Sequence, residues 1–290
     1  MQRSYILDTS AFRAISATTL AGASQRARLL VSPFCFWELL THLEDKGQFD
    51  RVKGNLMKFQ HVTVLDDPWA LIERDVVIPG DDMLKNPEDC DIIYASLAAL
   101  RDSASAGDFY AKHIRDSRNN VREIGGCVNR VRDILKTEEG RFQEYLTKIM
   151  AVVQDGQVSI TTSADRHRGS LQIVDAWWIQ FGNRIVRSES VRERLERQTY
   201  VFSSFVLHLA ADYIKRGCIT VDRNDFEDAK FCQHLALGAE MTAVTGDNAL
   251  QRCLADVLAV LNALPDASYQ TNLQVSSVSD FINLALGSAK

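Results

Sequence analysis

The chain opens on a short apolar run, Tyr5-Ile6-Leu7, that stops at a polar tip, Asp8-Thr9-Ser10. A continuous apolar run of this length, ended by polar residues, is the pattern of a strand buried on both faces. A helix is expected from Ala11. Arg28 to Val31 is a second run of the same kind. Ser32-Pro33 follows it as an N-cap and a first helical residue. The segment PFCFWELLTHLED then carries apolar residues at 36, 39, 40 and 43, a helical spacing, with Glu38 early in it between large apolar neighbours. Val62 to Leu65 reads as a further strand or an extended link.

From about Trp69 to Arg216 the pattern is mainly helical, and Pro and Gly are sparse. Helices are expected over 91–102, 108–135, 139–154 and 190–216, with polar stretches such as 161–170 as connections. Cys218 to Val221 is strand-like, and residues 222–225 are turn-like. A helix is expected from Phe226 to about Leu237, stopped by Gly238. Met241 to Val244 reads as a strand ending in Thr245-Gly246-Asp247. A helix over about 248–263, a last strand at Leu273 to Val275 and a last helix from Ser279 to Leu286 complete the chain. Strands alternating with helices at both ends predict an α/β fold, a parallel sheet flanked by helices. The expected organisation is a core of residues 1–66 and 217–290, with a large, mainly α-helical insertion or cap over 67–216.

Composition refines this picture only slightly. The 290 residues are 46% hydrophobic and 24% charged, an ordinary globular balance. A net charge of −5 argues against coating nucleic acid by bulk charge. The charge is unevenly spread. Residues 111–200 hold 16 Lys or Arg against 12 Asp or Glu, and the remainder holds 17 against 26. The middle is basic and the ends are acidic. No two of the six cysteines have the two-residue gap of a zinc knuckle or redox motif, so they read as reduced structural thiols. The start of the chain lacks a signal-type apolar stretch, and no run of about 18 apolar residues occurs. A cytoplasmic protein with no membrane partner is expected.

The candidate chemistry is acidic. Asp8 ends one strand, Asp247 follows another, and residues just past the carboxyl ends of parallel strands converge on one crevice. Glu38 sits near a helix start. Asp225 and Asp228, three apart, share a helical face. Carboxylates crowded in one crevice must either rise in pKa or be neutralised by cations. Ligation by oxygen alone favours Mg²⁺ or Mn²⁺. No histidine belongs to these motifs, and no Gly-rich phosphate loop occurs. Asp8 also lacks the second Asp two residues on that would suit an aspartyl phosphotransferase.

Each acid has a plainer reading. Asp8 and Asp225 fit as helix caps, Glu38 as half of a salt bridge, Asp228 as a first-turn acid, Asp247 as a turn residue and Glu227 as a solvated side chain. Arg115, Arg118 and Arg122, spaced for one helix face and followed by Arg130 and Arg132, and a second group of Arg184, Arg187, Arg192, Arg194 and Arg197 are candidates for tracking phosphates. Their plainer reading is a solvated face paired with nearby glutamates. Trp177 and Trp178 offer a stacking surface or, more simply, core.

At the acidic motifs the chain resembles a known family. Leu7-Asp8-Thr9-Ser10 resembles the opening strand of PIN-domain nucleases, and Phe36-Trp37-Glu38-Leu39-Leu40 is similar to their second acidic position. Asn224-Asp225-Phe226-Glu227-Asp228-Ala229 looks like their acidic helix start, and Ala243-Val244-Thr245-Gly246-Asp247 like their Thr-x-Asp strand tip. Residues 275–281 resemble the strand and helix that close the domain. The likeness covers roughly 1–66 and 217–290. The middle is far longer than the family's helical hairpin.

The resemblance implies that Asp8, Glu38, Asp228 and Asp247 are catalytic and hold Mg²⁺ or Mn²⁺. It implies Asp225 as an auxiliary acid, and Thr9 and Thr245 as supports for the carboxylates or for water. The implied reaction is hydrolysis of phosphodiester bonds, in RNA ahead of DNA, with a toxin-type ribonuclease as one form. The alternative is a non-catalytic PIN-like module acting through the insertion. The partners expected are nucleic acid, an antitoxin or other protein, and a second copy of the chain.

Overall fold

The computed structural model describes residues 3–45, 47–66, 88–116, 119–181, 187–217, 221–237, 240–264, 269 and 271–286. Five strands form one parallel sheet: β1 (Ser4–Leu7), β2 (Arg28–Val31), β3 (Thr63–Val64), β6 (Met241–Thr245) and β7 (Gln274–Ser277), in the order β3-β2-β1-β6-β7. All five come from the two ends of the chain. The chain winds outward from β1 through β2 to β3, then returns to place β6 on the other side of β1. That makes the β1/β6 border the switch point, where an open sheet leaves a crevice at its carboxyl edge.

Side-chain alternation sorts the strands onto two cores. Tyr5, Leu7, Leu29, Val31 and Val244 join one buried cluster, and Ile6, Leu30 and Ala243 the other. The first face is covered by α1 (Thr9–Ala14), α2 (Ala17–Ser24), α3 (Pro33–Thr41), α4 (Phe49–Leu56) and α5 (Glu88–Arg101). A short 3₁₀ turn, Met57–His61, supplies Phe59, and α12 (Val278–Leu286) supplies Phe281. The second face is covered by α9 (Glu189–Arg216), α10 (Arg223–Cys232) and α11 (Asn248–Asn262), with α8 (Ser163–Phe181) packed alongside α9.

The middle of the chain departs from its expected outline. In place of the first part of the helix expected over 108–135 there is a short α6 (Ala106–Tyr110), then an antiparallel hairpin of β4 (His113–Arg115) and β5 (Val121–Glu123). Asp116 explains the turn. Its Oδ1 accepts from Asn120 N at 2.8 Å, and its Oδ2 accepts from Arg122 Nε at 2.8 Å. An Asp that bonds backbone a few residues on offers the chain an alternative to helix. The segments expected as two helices with a break near 136–138 are one, α7 (Ile124–Gln154), a 31-residue helix. At 1.5 Å per residue it spans about 46 Å. Residues 161–170, expected as a connection, mostly belong to α8. The helix expected from Phe226 starts at Arg223 and ends at Cys232, capped by Asp222 rather than Asp225: Asp222 Oδ1 accepts from Asn224 N at 3.0 Å. The strand-like Cys218 to Thr220 and the stop at Gly238 lie outside the described residues.

α7 begins in the first core through Ile124 and Val128 and ends in the second through Phe142, Leu146 and Met150. It therefore crosses from one face of the sheet to the other. α9 has a different task. Buried Tyr213 sits at its end, where Tyr213 Oη accepts from Asp222 N at 2.7 Å and donates to Asp225 Oδ2. One hydroxyl thus pins the start of α10. Among the described residues no helix is long and apolar enough to cross a membrane.

Replacing Tyr213 with Phe strands a backbone N–H and a half-buried carboxyl at the start of α10. Stability should fall by about 1–3 kcal/mol, the usual cost of leaving such partners unpaired. Chemical denaturation of the two proteins reads the difference, and equal midpoints would show that the hydroxyl does not hold this helix.

Candidate active site

The sheet register builds the site. Leu7 lies level with Val31 on one side and Val244 on the other. The next residue of each strand therefore emerges at the same edge: Asp8, Ser32 and Thr245. Asp8 is buried, at 6% exposure, and heavily bonded. Its Oδ1 caps α1 by accepting from Ala11 N at 2.6 Å, and its Oδ2 accepts from Thr245 Oγ1 at 2.6 Å. Ser10 Oγ lies 2.9 Å from Oδ1 and 2.8 Å from Oδ2, and itself accepts from Gly246 N at 2.8 Å. Thr245 Oγ1 in turn accepts from Asp247 N at 2.9 Å. Asp247 Oδ1 caps α11, accepting from Ala249 N at 2.6 Å and Leu250 N at 3.0 Å. Both strand-tip acids are thus helix caps as well as members of one hydrogen-bonded edge.

A cleft of about 600 Å³ opens over this edge. Asp8, Thr9, Glu38, Asp228 and Asp247 all line it, brought there by β1, α1, α3, α10 and the tip of β6. Glu227 lines it too, although its sequence reads as a solvated side chain; its Oε1 pairs with Arg223 Nε at 3.2 Å. Arg13, Arg132, Lys136 and Arg223 complete the polar wall. Arg132, Lys136 and Glu139 follow one another at helical spacing on α7, which forms the roof. That periodicity was available in the sequence, but which face of α7 looks onto the acids was not.

The acids divide electrostatically. Burial raises the pKa of Asp8, but the bonds from Thr245, Ala11 and Ser10 oppose the rise. Burial pushes Glu38 up to about 7, reinforced by Glu227 and Asp8 and opposed by Thr9 and Arg13. Asp228 rises furthest, to about 8, through burial and then the charges of Asp247, Asp8, Asp225 and Glu227. Among the described residues no ion pair reaches Asp8, Glu38, Asp228 or Asp247, and no hydrogen bond engages the Asp228 carboxyl. At neutral pH the surrounding side chains alone therefore favour the protonated form of Asp228 and leave Glu38 near the middle of its titration. No three His, Cys, Asp or Glu side chains among the described residues already stand around one ion-sized point. The acids share walls of a cleft rather than a finished coordination shell.

Other expected residues fall elsewhere. Asp225 does not line the cleft; Tyr213 holds it on the flank of α10. Arg115 and Arg122 lie on the β4–β5 hairpin rather than on a helix face, Arg115 bonded to Asn119 and Arg122 to Asp116. The spacing that suggested one helical face is realised in strands. Arg187 stacks 4.5 Å from the Trp178 ring. None of these three lines the cleft. Arg118 and Arg184 lie outside the described residues. Trp177 packs with Tyr145 and Phe202. Cys35 lines the cleft, but burial pushes its thiol up, so it offers no ready thiolate.

Comparison with protein-family models, with characterised proteins and with solved structures gives no match for this chain.

The two raised acids set a pH dependence. Each binds its proton more tightly folded than unfolded, so the stability it contributes is fully present below its unfolded pKa, near 4, and is lost as pH rises through 7 and 8. In EDTA the protein should melt lower at about pH 8.5 than at about pH 5.5. Asp228→Asn should flatten that slope and gain on the order of 2 kcal/mol at the higher pH, since a tenfold change in proton affinity is worth about 1.4 kcal/mol and the site relaxes in part. A variant with the parental slope would mean that Asp228 is not strained in the folded state.

Proposed function

We propose that the chain is a divalent-cation-dependent nuclease of PIN type that hydrolyses phosphodiester bonds, with RNA as the first substrate class. The observation that carries this reading is the meeting of Asp8, Glu38, Asp228 and Asp247 in one cleft with no cationic side chain paired to any of them among the described residues. The order of the acids along the chain and the Asp-Thr-Ser and Thr-Gly-Asp tips support the family, and a parallel five-stranded sheet with helices on both faces supports the fold.

The residues present fit Mg²⁺ or Mn²⁺. Every candidate donor is an oxygen, and among the described residues the Asp228 carboxyl has neither a hydrogen-bond nor an ion-pair partner. A divalent cation bound there would polarise a phosphoryl oxygen and acidify water. The chain's own groups do the rest. Ala11 N, Ser10 Oγ and Thr245 Oγ1 hold Asp8 in one rotamer and favour its carboxylate form. Thr9 and Arg13 favour the charged form of Glu38. Arg13, Arg132, Lys136 and Arg223 line the same cleft and suit the phosphates flanking the scissile bond. The same cations favour a second reading, a binding module that holds an acidic or phosphorylated partner without turnover.

Asp8→Asn keeps the shape of the side chain but removes its charge. Cleavage of single-stranded RNA in Mn²⁺ should fall roughly a hundredfold or more, as loss of a metal-holding group does, and EDTA should abolish it in the parent. Gel-resolved cleavage rates decide between the readings. A parent that binds RNA and never cuts it with either cation supports the binding module, and an Asp8→Asn protein that cuts at the parental rate removes the site assignment.

A further inference from the structure

A second cavity, of about 480 Å³, adjoins the acidic cleft. Residues of α7, α8, α9 and α10 line it, and its ring-bearing walls are Phe142, Tyr145, Trp177, Phe202 and Phe226. The two cavities share Phe226 and Lys230. Lys230 is a buried post between them. Its Nζ lies 2.6 Å from Glu138 Oε2, 4.7 Å from the centre of the Phe34 ring in the acidic cleft and 5.6 Å from that of Phe226.

The pocket is open to solvent on one side, and its lining is mixed: the rings form its apolar wall, and Glu138, Glu144, Arg141, Lys148, Lys230 and Gln233 supply polar groups. Gln233, only 7% exposed, lines it, and its Oε1 is buried with no hydrogen-bond partner. An unpaired buried carboxamide oxygen is costly, so this group calls for a partner from outside the chain, an ordered water or a bound ligand. Arg141 and Lys148 stand at the same cavity.

We propose that this cavity receives one unstacked base of the strand whose phosphates lie in the acidic cleft, an inference that rests on the nuclease reading above. Ring walls suit a heteroaromatic face. A carboxamide both donates and accepts, and so matches the polar edge of a base. Arg141 and Lys148 suit the neighbouring phosphate. The shared wall at Phe226 and Lys230 lets one strand reach both cavities. Gln233 selects which base enters, and the long insertion supplies the pocket through α7, α8 and α9.

The test is binding without turnover. Full-length Asp8→Asn protein in EDTA is titrated with each of the four ribonucleoside 5′-monophosphates and with ribose 5-phosphate, followed by ligand-observed NMR. At least one nucleotide should bind and ribose 5-phosphate should not. Gln233→Leu should weaken the preferred nucleotide about tenfold and blunt the ranking among bases, the scale of one good side-chain-to-base contact. Because Leu removes an unpaired polar group, that variant should melt no lower than its parent. Lys148→Ala should weaken all four nucleotides alike.

Four nucleotides binding no better than ribose 5-phosphate would overturn the base site, as would a Gln233→Leu protein with unchanged affinities and ranking. The nuclease reading fails separately. RNA cleavage by the parent without base-dependent nucleotide binding leaves the nuclease and removes the pocket. Base-dependent binding lost in Gln233→Leu, with no cleavage by the parent, leaves the pocket and removes the nuclease.

Discussion

The hydrogen bond from Thr245 Oγ1 to Asp8 Oδ2, 2.6 Å long, joins residues 237 apart in sequence. It exists because β1 and β6 are parallel neighbours in a register that sets Leu7 level with Val244. A slip of one residue would turn Tyr5 and Leu7 to the face now occupied by Ile6, and would exchange the two buried clusters. The hydrophobic cores therefore enforce the register, and the register brings Asp8, Thr245 and Asp247 to one edge. The arrangement of acids is a consequence of packing, maintained by burial energy spent far from the acids themselves.

The same logic explains why so long a middle segment belongs with the sheet. α7 leaves one core, crosses the carboxyl edge and enters the other, so its central turns roof the cleft. The last turn of α9 carries Tyr213, whose hydroxyl fixes the start of α10 and with it the placement of Glu227 and Asp228. Removing the middle would expose both cores and release the acidic helix. The middle segment shares its hydrophobic clusters with the strands, which ties any substrate surface on α7 mechanically to the acids below.

Short buried strands bounded by polar tips were legible in the sequence, because a fully buried parallel strand leaves an uninterrupted apolar run that ends sharply. So was the meeting of Asp8 with Asp247, which follows from topology alone. The hairpin at 113–123 was not. Arg115 and Arg122 are spaced for a helical face, but the chain between them pairs as two strands, with the Asp116 side chain bonded to Asn120 and Arg122 across the turn. Glu227 escapes a sequence reading for a different reason. Local sequence shows a polar residue on an exposed-looking helix start, whereas its burial comes from α3 and α7, which lie far away in sequence. Nor could the sequence show that Tyr213, outside every motif, would take Asp225 away from the cleft.

What separates Asp8 from Asp228 is the supply of donors. Both are largely buried, and burial alone would neutralise either. Asp8 receives a backbone N–H and two hydroxyls, each of which rewards the charged form. Asp228 receives no hydrogen bond among the described residues and faces four other acids. One carboxylate is therefore organised by the fold in its charged form, and the other is driven by its surroundings toward the protonated form. In a stable protein that asymmetry has a cost, since an apolar residue at 228 would pack without it. The cost is intelligible if the folded chain alone is not the working state. On the proposed reading, the cation that completes Asp228 is also the group that makes the cleft reactive, so the strain among the acids and their affinity for that cation have a single origin.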